Sequence, residues 1–459
     1  MKTLSQALTG TFWSALGGHT SEAAEVVFTG TGGLPSVFPV TDLACAAVGT
    51  AALSVADLIR EAGGGRVAVS VDRRLSSMWF GFSIRPLGWR LPSIWDSIAG
   101  DYPARDGWIR LHTNAPQHRA IAQRILGVPG ERAAVARAVA PWAKQDLERA
   151  IVEAGGCAAE MRTIDEWRGH PQGQAVAAEP LARVAAISTS MPGWRVQIER
   201  PLEGLRVLDL TRVLAGPVAT RLLAGYGADV LRIDPPGWDE PGVVPEVTLG
   251  KRCARLDLQR TADRAVFEAL LAKADILIHG YRPGALERLG FDAAARRRLA
   301  PGLIDVCLDA YGWSGPWAGR RGFDSLVQMS AGIAELGMRH FSGDKPMPLP
   351  VQALDHATGY LMAAAAIRGV ARRLRDGSGC EARFSLARIA QVLTDQPSIA
   401  REPVLAAETE LDLAPAVETT DWGPARRLAS PVAIAGVPMR WDRPARRLGS
   451  ETAPRWLGE

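Results

Sequence analysis

Two aspartates stand at the front of Ala-rich runs, and each could either cap a helix or do chemistry. Asp355 precedes HATGYLMAAAAIRGVARRL and Asp42 precedes LACAAVGTAALSVADLIR; each run ends in glycines and passes into a β run, CEARFSL and RVAVSV respectively. A carboxylate at a helix start is a favoured N-cap. Beside a ligand it can instead be a nucleophile, splitting one hard exchange into easier covalent steps. Residue type alone leaves both open. The recurrence of Asp, Ala-rich helix, glycines and β run reads as two diverged copies of one larger unit, not a short-period repeat. His356 adjoins Asp355, but adjacent residues on a helix point apart, so it reads as a surface or packing residue.

A second constellation follows the β run RVLDL. In TRVLAGPVATRLLAGYGADV (211–230), Gly216 and Pro217 form a short loop at a helix N-terminus, where backbone N–H groups can approach an anionic or polar ligand. A plain strand-to-helix turn has the same composition. GxGxxG is absent, and no acidic ribose partner stands at the expected spacing, so a nicotinamide-dependent dehydrogenase has little support. RIDPPGWDEP (232–241) is a charged loop, and Lys251 and Arg252 in GKRCARLDL could meet phosphates or lie at the surface.

The elements that must position these residues change character near residue 200, where PGWRVQIERP (192–201) reads as a linker. Beyond it, strands RVLDL (206–210), ADVLRID (228–234), DILIHGY (275–281) and LIDVCLDAYG (303–312) alternate with helical spacing at 217–226 and 262–274. That alternation predicts an α/β domain with a doubly wound parallel sheet and right-handed crossovers. The first half reads differently. A long Ala-rich helix (41–64), β runs at 66–71 and 106–113, and amphipathic helices at 117–127 and 142–156 predict a smaller α+β unit.

Composition excludes several classes. Across 459 residues, 47% are hydrophobic and 22% charged, the balance of a globular chain of two or three domains. A formal charge of +4, with arginines scattered or in short runs such as Arg296-Arg297-Arg298, does not mark a nucleic-acid binder. The modest positive excess would still draw in a polyanionic ligand. Five scattered cysteines without CxxC spacing read as reduced thiols, and no clustered ligand set suggests a metal. The N-terminal residues lack a secretory layout, and no unbroken run of 18 apolar residues occurs, so a cytoplasmic protein with no membrane partner is expected.

Five ordered blocks carry a resemblance. PLEGLRVLDLTRVLAGPVATRLLAGYGADVLRIDPPG (201–237), GKRCARLDL (250–258), ADILIHGYRPGALERLGF (274–291), LIDVCLDAYGWSGPWAGRRGFDSLVQMSAG (303–332) and PVQALDHATGYLMAAAAIRGV (350–370) resemble the family III CoA transferases, in the family's own order. The resemblance implies a Rossmann-like CoA-binding catalytic domain over 196–400, with Asp355 as the nucleophile. Leu214, Ala215 and Gly216 would then line CoA, Tyr281 would be the family's aromatic residue, and Arg232, Lys251 and Arg288 would contact phosphate or ribose. Coenzyme A enters as substrate, moved between an acyl-CoA and a small carboxylic acid, with no permanently bound cofactor. Gly250 and Gly280 replace asparagines of the family pattern, and 94–108 lacks the glycine run some members place over the nucleophile.

The family's later pieces stand in front here, as RVAVSVDRRLSSMW, DGWIRL and TIDEWRGHPQ (163–172). Residues 1–195 are therefore expected to be an incomplete copy that includes the small domain, and 401–459 a tail returning to the large domain. Family members are interlocked dimers, so this chain is expected to be a monomeric pseudo-dimer or a homodimer with one working site. Asp42, whose copy lacks the CoA loop, would be vestigial. Two alternatives stand beside transfer. One is a 2-methylacyl-CoA racemase, weakened because Phe323 in Arg321-Gly322-Phe323-Asp324 cannot accept a proton; the other is a non-catalytic CoA-binding protein.

Overall fold

A computed structural model describes residues 2–187, 189, 194–237, 239–396 and 403–458. Part of the linker expected at 192–201, and the boundary expected at 400/401, lie outside the described residues.

The principal sheet has seven strands: β1 (Arg183–Ile187), β2 (Arg206–Leu210), β3 (Asp229–Asp234), β4 (Arg252–Arg255), β5 (Ile276–His279), β6 (Ile304–Asp309) and β7 (Gly379–Ser385). Their order is β4-β3-β2-β5-β6-β7-β1, parallel throughout except β1, which runs antiparallel to β7. The chain winds outward from β2 through β3 to β4, then returns to β5 and winds the other way. The reversal falls between β2 and β5, where the carboxyl ends of the strands diverge and leave a crevice. Because β2, β5 and β6 are covered on both faces, they read as near-continuous apolar runs. β1 is supplied from well before β2 in the chain, so the first half of the sequence completes the sheet of the second.

Five helices matter for the site: α1 (Leu4–Ala15), α2 (Val40–Glu61), α3 (Ala215–Gly225), α4 (Asp324–Ser330) and α5 (Ala353–Asp376). The two Ala-rich helices, α2 and α5, pack on each other, their small side chains permitting close approach within one continuous core. By length and composition α2 could cross a membrane, but its apolar window is wholly buried inside the fold. The two helices start alike. The residue before α2, Pro39, has φ −74° and ψ 60°, and the residue before α5, Gln352, has φ −76° and ψ 66°. In both, the first helical N–H donates two residues back, Val40 to Phe38 O and Ala353 to Val351 O, each at 2.8 Å. Each helix then leads through glycine to a strand whose last residue caps the next helix: Asp72 accepts from Leu75 N, and Ser385 from Arg388 N.

The small unit is a three-stranded antiparallel sheet, Gly100–Ala104, Gly107–Leu111 and Ala158–Glu160. Its core of Tyr102, Ile109, Val135, Leu147 and Ile151 is shared with the helices Arg132–Val139 and Lys144–Glu153. The tail first pairs with strands of the N-terminal half, Val432–Ile434 against Val69–Asp72 and Gly423–Arg427 against Ile84–Pro86. It then reaches the large sheet, where Glu451 bridges to Ala254 beside β4 and Trp456 is buried.

Candidate active site

The loop after β2 is built tightly. Val213 has φ 64°, a conformation that is strained for a β-branched side chain and of order 1–3 kcal/mol unfavourable. Glu240 holds it there, its Oε2 accepting the Val213 N–H at 2.8 Å. From below, Asp209 accepts Thr211 N at 2.9 Å and the Thr220 hydroxyl at 2.6 Å. At Gly216 any Cβ would sit 2.2 Å from Thr211 Cγ2, so only glycine lets the turn close before α3.

Asp355 is the third residue of α5, inside the helix, so it is not the N-cap, and Gln352 before the helix supplies no side-chain cap either. The helix start is held from a neighbouring element instead. Asp324, at the beginning of α4, accepts the Asp355 N–H at 2.9 Å, and Gln328 both donates to Asp324 and accepts Leu349 N at 2.7 Å. One turn on, a Cβ at Gly359 would lie 2.3 Å from Ala215 O. That missing side chain lets the start of α3 settle against α5, which brings the 214–216 loop beside Asp355.

A cavity of about 420 Å³ opens at the sheet's reversal point, lined by Leu214, Ala215, Gly216, Tyr281 and Asp355 together. Five of the eight residues expected at a ligand site therefore meet. Among the described residues, the Asp355 carboxylate has no hydrogen-bond or ion-pair partner, although the residue is only 7% exposed. Burial, then the like charges of Asp324 and Glu240, push it well above the usual carboxylate range. Burial likewise pushes Asp324 up to about 6, against the lowering effect of the amides it accepts.

Three expected contacts do not reach the cavity lining. Arg232 is buried and paired twice with Asp234, at 2.8 and 2.9 Å, so it is a strand ion pair rather than a phosphate contact. Lys251 is fully buried, with Nζ donating to Thr220 Oγ1 at 2.6 Å and to Asp209 and Pro217 O at 3.0 Å. Burial lowers its pKa to about 8 despite Asp209. It braces the loop from behind. Arg288 is exposed, close to Gly284 and to Arg282, outside the lining.

Asp42 occupies the matching place in α2 and is engaged. Arg73 Nη1 donates to its Oδ1 at 2.8 Å, and the Ser5 hydroxyl of α1 donates to the same oxygen. Asp42 and Asp355 thus stand third in their helices and differ by what surrounds them.

Sequence reasoning missed His118, Arg212, Arg282 and Arg321, which also line the cavity, and the role of Asp324. His118 comes from the small unit of the N-terminal half. Burial, then Arg321 and Arg282, lower its pKa to about 4, so its imidazole is neutral. No local pattern marks these residues, since the fold assembles them from separate segments. Phe323 lies in the lining with its ring stacked on His112, centroids 3.7 Å apart.

Residues 202–415 match the family model described as CoA-transferase family III. The chain is similar to the probable fatty acyl-CoA transferase Rv3272 of Mycobacterium tuberculosis, 34% identical over 192 residues that cover 39% of this chain and 48% of that protein. It is 32% identical over 215 residues to the succinyl-CoA:glutarate CoA-transferase of Mus musculus, covering 43% and 48%. The orthorhombic crystal structure of Rv3272 aligns at 31% identity over 42% of this chain and 57% of that one, with a TM-score of 0.39. The chain spans about half the length of the curated relatives it matches.

Proposed function

We propose, from the premise that residues 202–415 belong to CoA-transferase family III, that this protein moves coenzyme A from an acyl-CoA to a small carboxylic acid through Asp355. One observation carries the reading: the Asp355 carboxylate faces the cavity beside the 214–216 loop without a cation, while its counterpart Asp42 is tied to Arg73 and Ser5.

The exchange balances in four steps. An Asp355 oxygen attacks the thioester carbonyl, and the CoA thiolate leaves, giving a mixed anhydride. The thiolate then attacks the aspartyl carbonyl and releases the first acid as a carboxylate, leaving an aspartyl-CoA thioester. The incoming carboxylate attacks that thioester and expels thiolate again. Thiolate attack on the new acyl carbon regenerates Asp355 and releases the new acyl-CoA. Carboxylate and thiolate suffice for every step. A buried carboxylate with like-charged neighbours is poorly solvated and correspondingly eager to be acylated. The Leu214–Gly216 backbone and the Tyr281 ring would flank the pantetheine arm, and Arg288 stands exposed near Arg282 of the lining.

The pseudo-dimer reading is part of the proposal. The matched starts of α2 and α5, and the presence of His118 in the lining, support a single chain that supplies both sides of one site. We place residues 1–195 as the incomplete copy, 196–400 as the CoA-binding domain and 401–459 as the returning tail. All five cysteines are free and buried, in keeping with a cytoplasmic protein.

Incubation with an acyl-CoA followed by borohydride or hydroxylamine should modify Asp355, located by peptide mass. Modification elsewhere, or none with any acyl-CoA that binds, defeats the reading. Epimerisation of a 2-methylacyl-CoA has one observation in its favour, the neutral His118 in the same cavity. Solvent deuterium entering the acyl α-carbon, lost in His118→Ala, would select it.

A further inference from the structure

Resting on the exchange at Asp355, we propose that His118 is a further catalytic residue. Its Nδ1–H donates to the thioester carbonyl oxygen as that oxygen becomes an oxyanion, and Cys157 is the positioning residue that fixes the tautomer. His118 lies on the first turn of the helix Pro116–Leu126, in the N-terminal half, and is only 4% exposed while lining the Asp355 cavity. Its Nε2 is 3.7 Å from Cys157 Sγ. Its Nδ1 is buried and has no hydrogen-bond partner among the described residues. Buried polar atoms in a folded chain are nearly always paired, and an orphan on a ligand cavity points to a partner that the ligand brings.

Two effects set what that atom offers. Burial, reinforced by Arg321 and Arg282, keeps the imidazole neutral, so it carries a single proton. Burial pushes the Cys157 thiol up to about 12, so it keeps its own proton and donates a hydrogen bond to Nε2. The imidazole proton then resides on Nδ1, and the ring presents a donor there rather than a base. Backbone donors around the nucleophile are already spent, the Asp355 N–H on Asp324 at 2.9 Å and the Val213 N–H on Glu240 at 2.8 Å. Phe323 stands edge-on to His118, with ring centroids 6.1 Å apart, and immediately precedes Asp324. The imidazole is thus one side chain away from the residue that holds the Asp355 backbone.

When an Asp355 oxygen adds to the acyl carbon, the C=O bond opens and its electron pair settles on oxygen. Nδ1–H donates to that oxygen without giving up its proton, and the pair returns as the C–S bond breaks and thiolate leaves. The final step, thiolate attack on the new acyl carbon, passes through the same geometry in reverse and uses the same donor.

The test follows the full chain by rapid quenching with acetyl-CoA and with hexanoyl-CoA. His118→Leu, close in volume, should bind both within about twofold of wild type yet acylate Asp355 about 100-fold more slowly, the loss expected for one oxyanion donor. His118→Asn should recover at least about tenfold of that rate, because its Nδ2–H can stand where Nδ1–H stood. Asparagine takes no proton, so this recovery also separates hydrogen-bond donation from removal of an α-proton. A second readout needs no turnover. With either acyl-CoA isotopically labelled at its carbonyl and bound to Asp355→Asn, the carbonyl stretch should fall below that of the free thioester, and adding His118→Leu should restore it. Cys157→Val should restore part of the shift and Cys157→Ser should keep it, a response that packing at residue 157 would not give. Wild-type acylation rates in His118→Leu, or a carbonyl band indifferent to that substitution, overturn the proposal. A band lowered through His118 in a protein whose Asp355 is never acylated refutes the Asp355 chemistry and leaves the carbonyl contact standing.

Discussion

A carboxylate buried beside Asp324 and Glu240, with no cation paired to it among the described residues, is unfavourable to fold around. Its folded pKa lies above the unfolded value of about 3.9. Below roughly pH 4 both states hold the proton and the group is neutral towards stability; as pH rises the unfolded chain ionises first, and stability falls until the folded pKa is passed. Asp355→Asn should therefore raise the thermal midpoint at pH 8, leave it near wild type at pH 4, and abolish the trapped adduct. Equal midpoints at pH 8 would remove the claim that the site is under electrostatic load. For the same reason turnover should show an acidic limb above the ordinary carboxylate range. Asp355, the 214–216 loop and Tyr281 were legible because each sits in a contiguous stretch with a local signature. Arg232 was misplaced although a signal existed: Arg232 and Asp234 are two apart on a strand, hence on one face, where they pair. Lys251 and Arg321 carried no such mark, since Asp209 and Gly155 are far away in sequence.

At the level of elements, Gly359 decides how near α3 can come to α5. Gly359→Ala would press a methyl against Ala215 O, a backbone atom that cannot rotate aside. Loss of about 1–3 kcal/mol in urea denaturation is expected from such overpacking, together with weaker CoA binding. Gly49, inside the sister helix, is the control. A Cβ there would meet Phe28 Cζ at 3.4 Å, ordinary contact with a side chain. Gly49→Ala should be neutral or stabilising by up to about 1 kcal/mol, through helix propensity. Similar losses at both sites would show that the close approach at Gly359 is nothing special. Strands β2, β3, β5 and β6 were readable from apolar runs between turn residues. β1 was not: its RVAAI is short and half exposed, and only pairing with β7 makes it a strand.

Across the whole molecule, one buried carboxylate joins four separate parts of the chain. Glu246 accepts Ser83 N and Ile84 N at 3.0 Å, pairs with Arg221 of α3, and takes Arg427 Nη1 of the tail at 2.9 Å. Burial alone would push Glu246 up, but Arg221, Arg427 and the Ser83 amide hold it below its usual value. Its contribution is present above the unfolded carboxyl pKa and lost as pH falls through the depressed one. Glu246→Leu, which strands two buried guanidinium groups, should cost about 3–5 kcal/mol in denaturant unfolding; a cost under about 1 kcal/mol would show that the tail is held by its strands alone. This convergence could not be read from sequence, because the four segments it joins are far apart in the chain. The strand β1 has a practical consequence of its own. Trimming the protein to the stretch that matches the family, from residue 202 onward, would strip β7 of its neighbour and bare the Ala-rich flank of α5. Such a fragment should scatter light and self-associate through its orphaned backbone amides, while the intact chain runs as a discrete species.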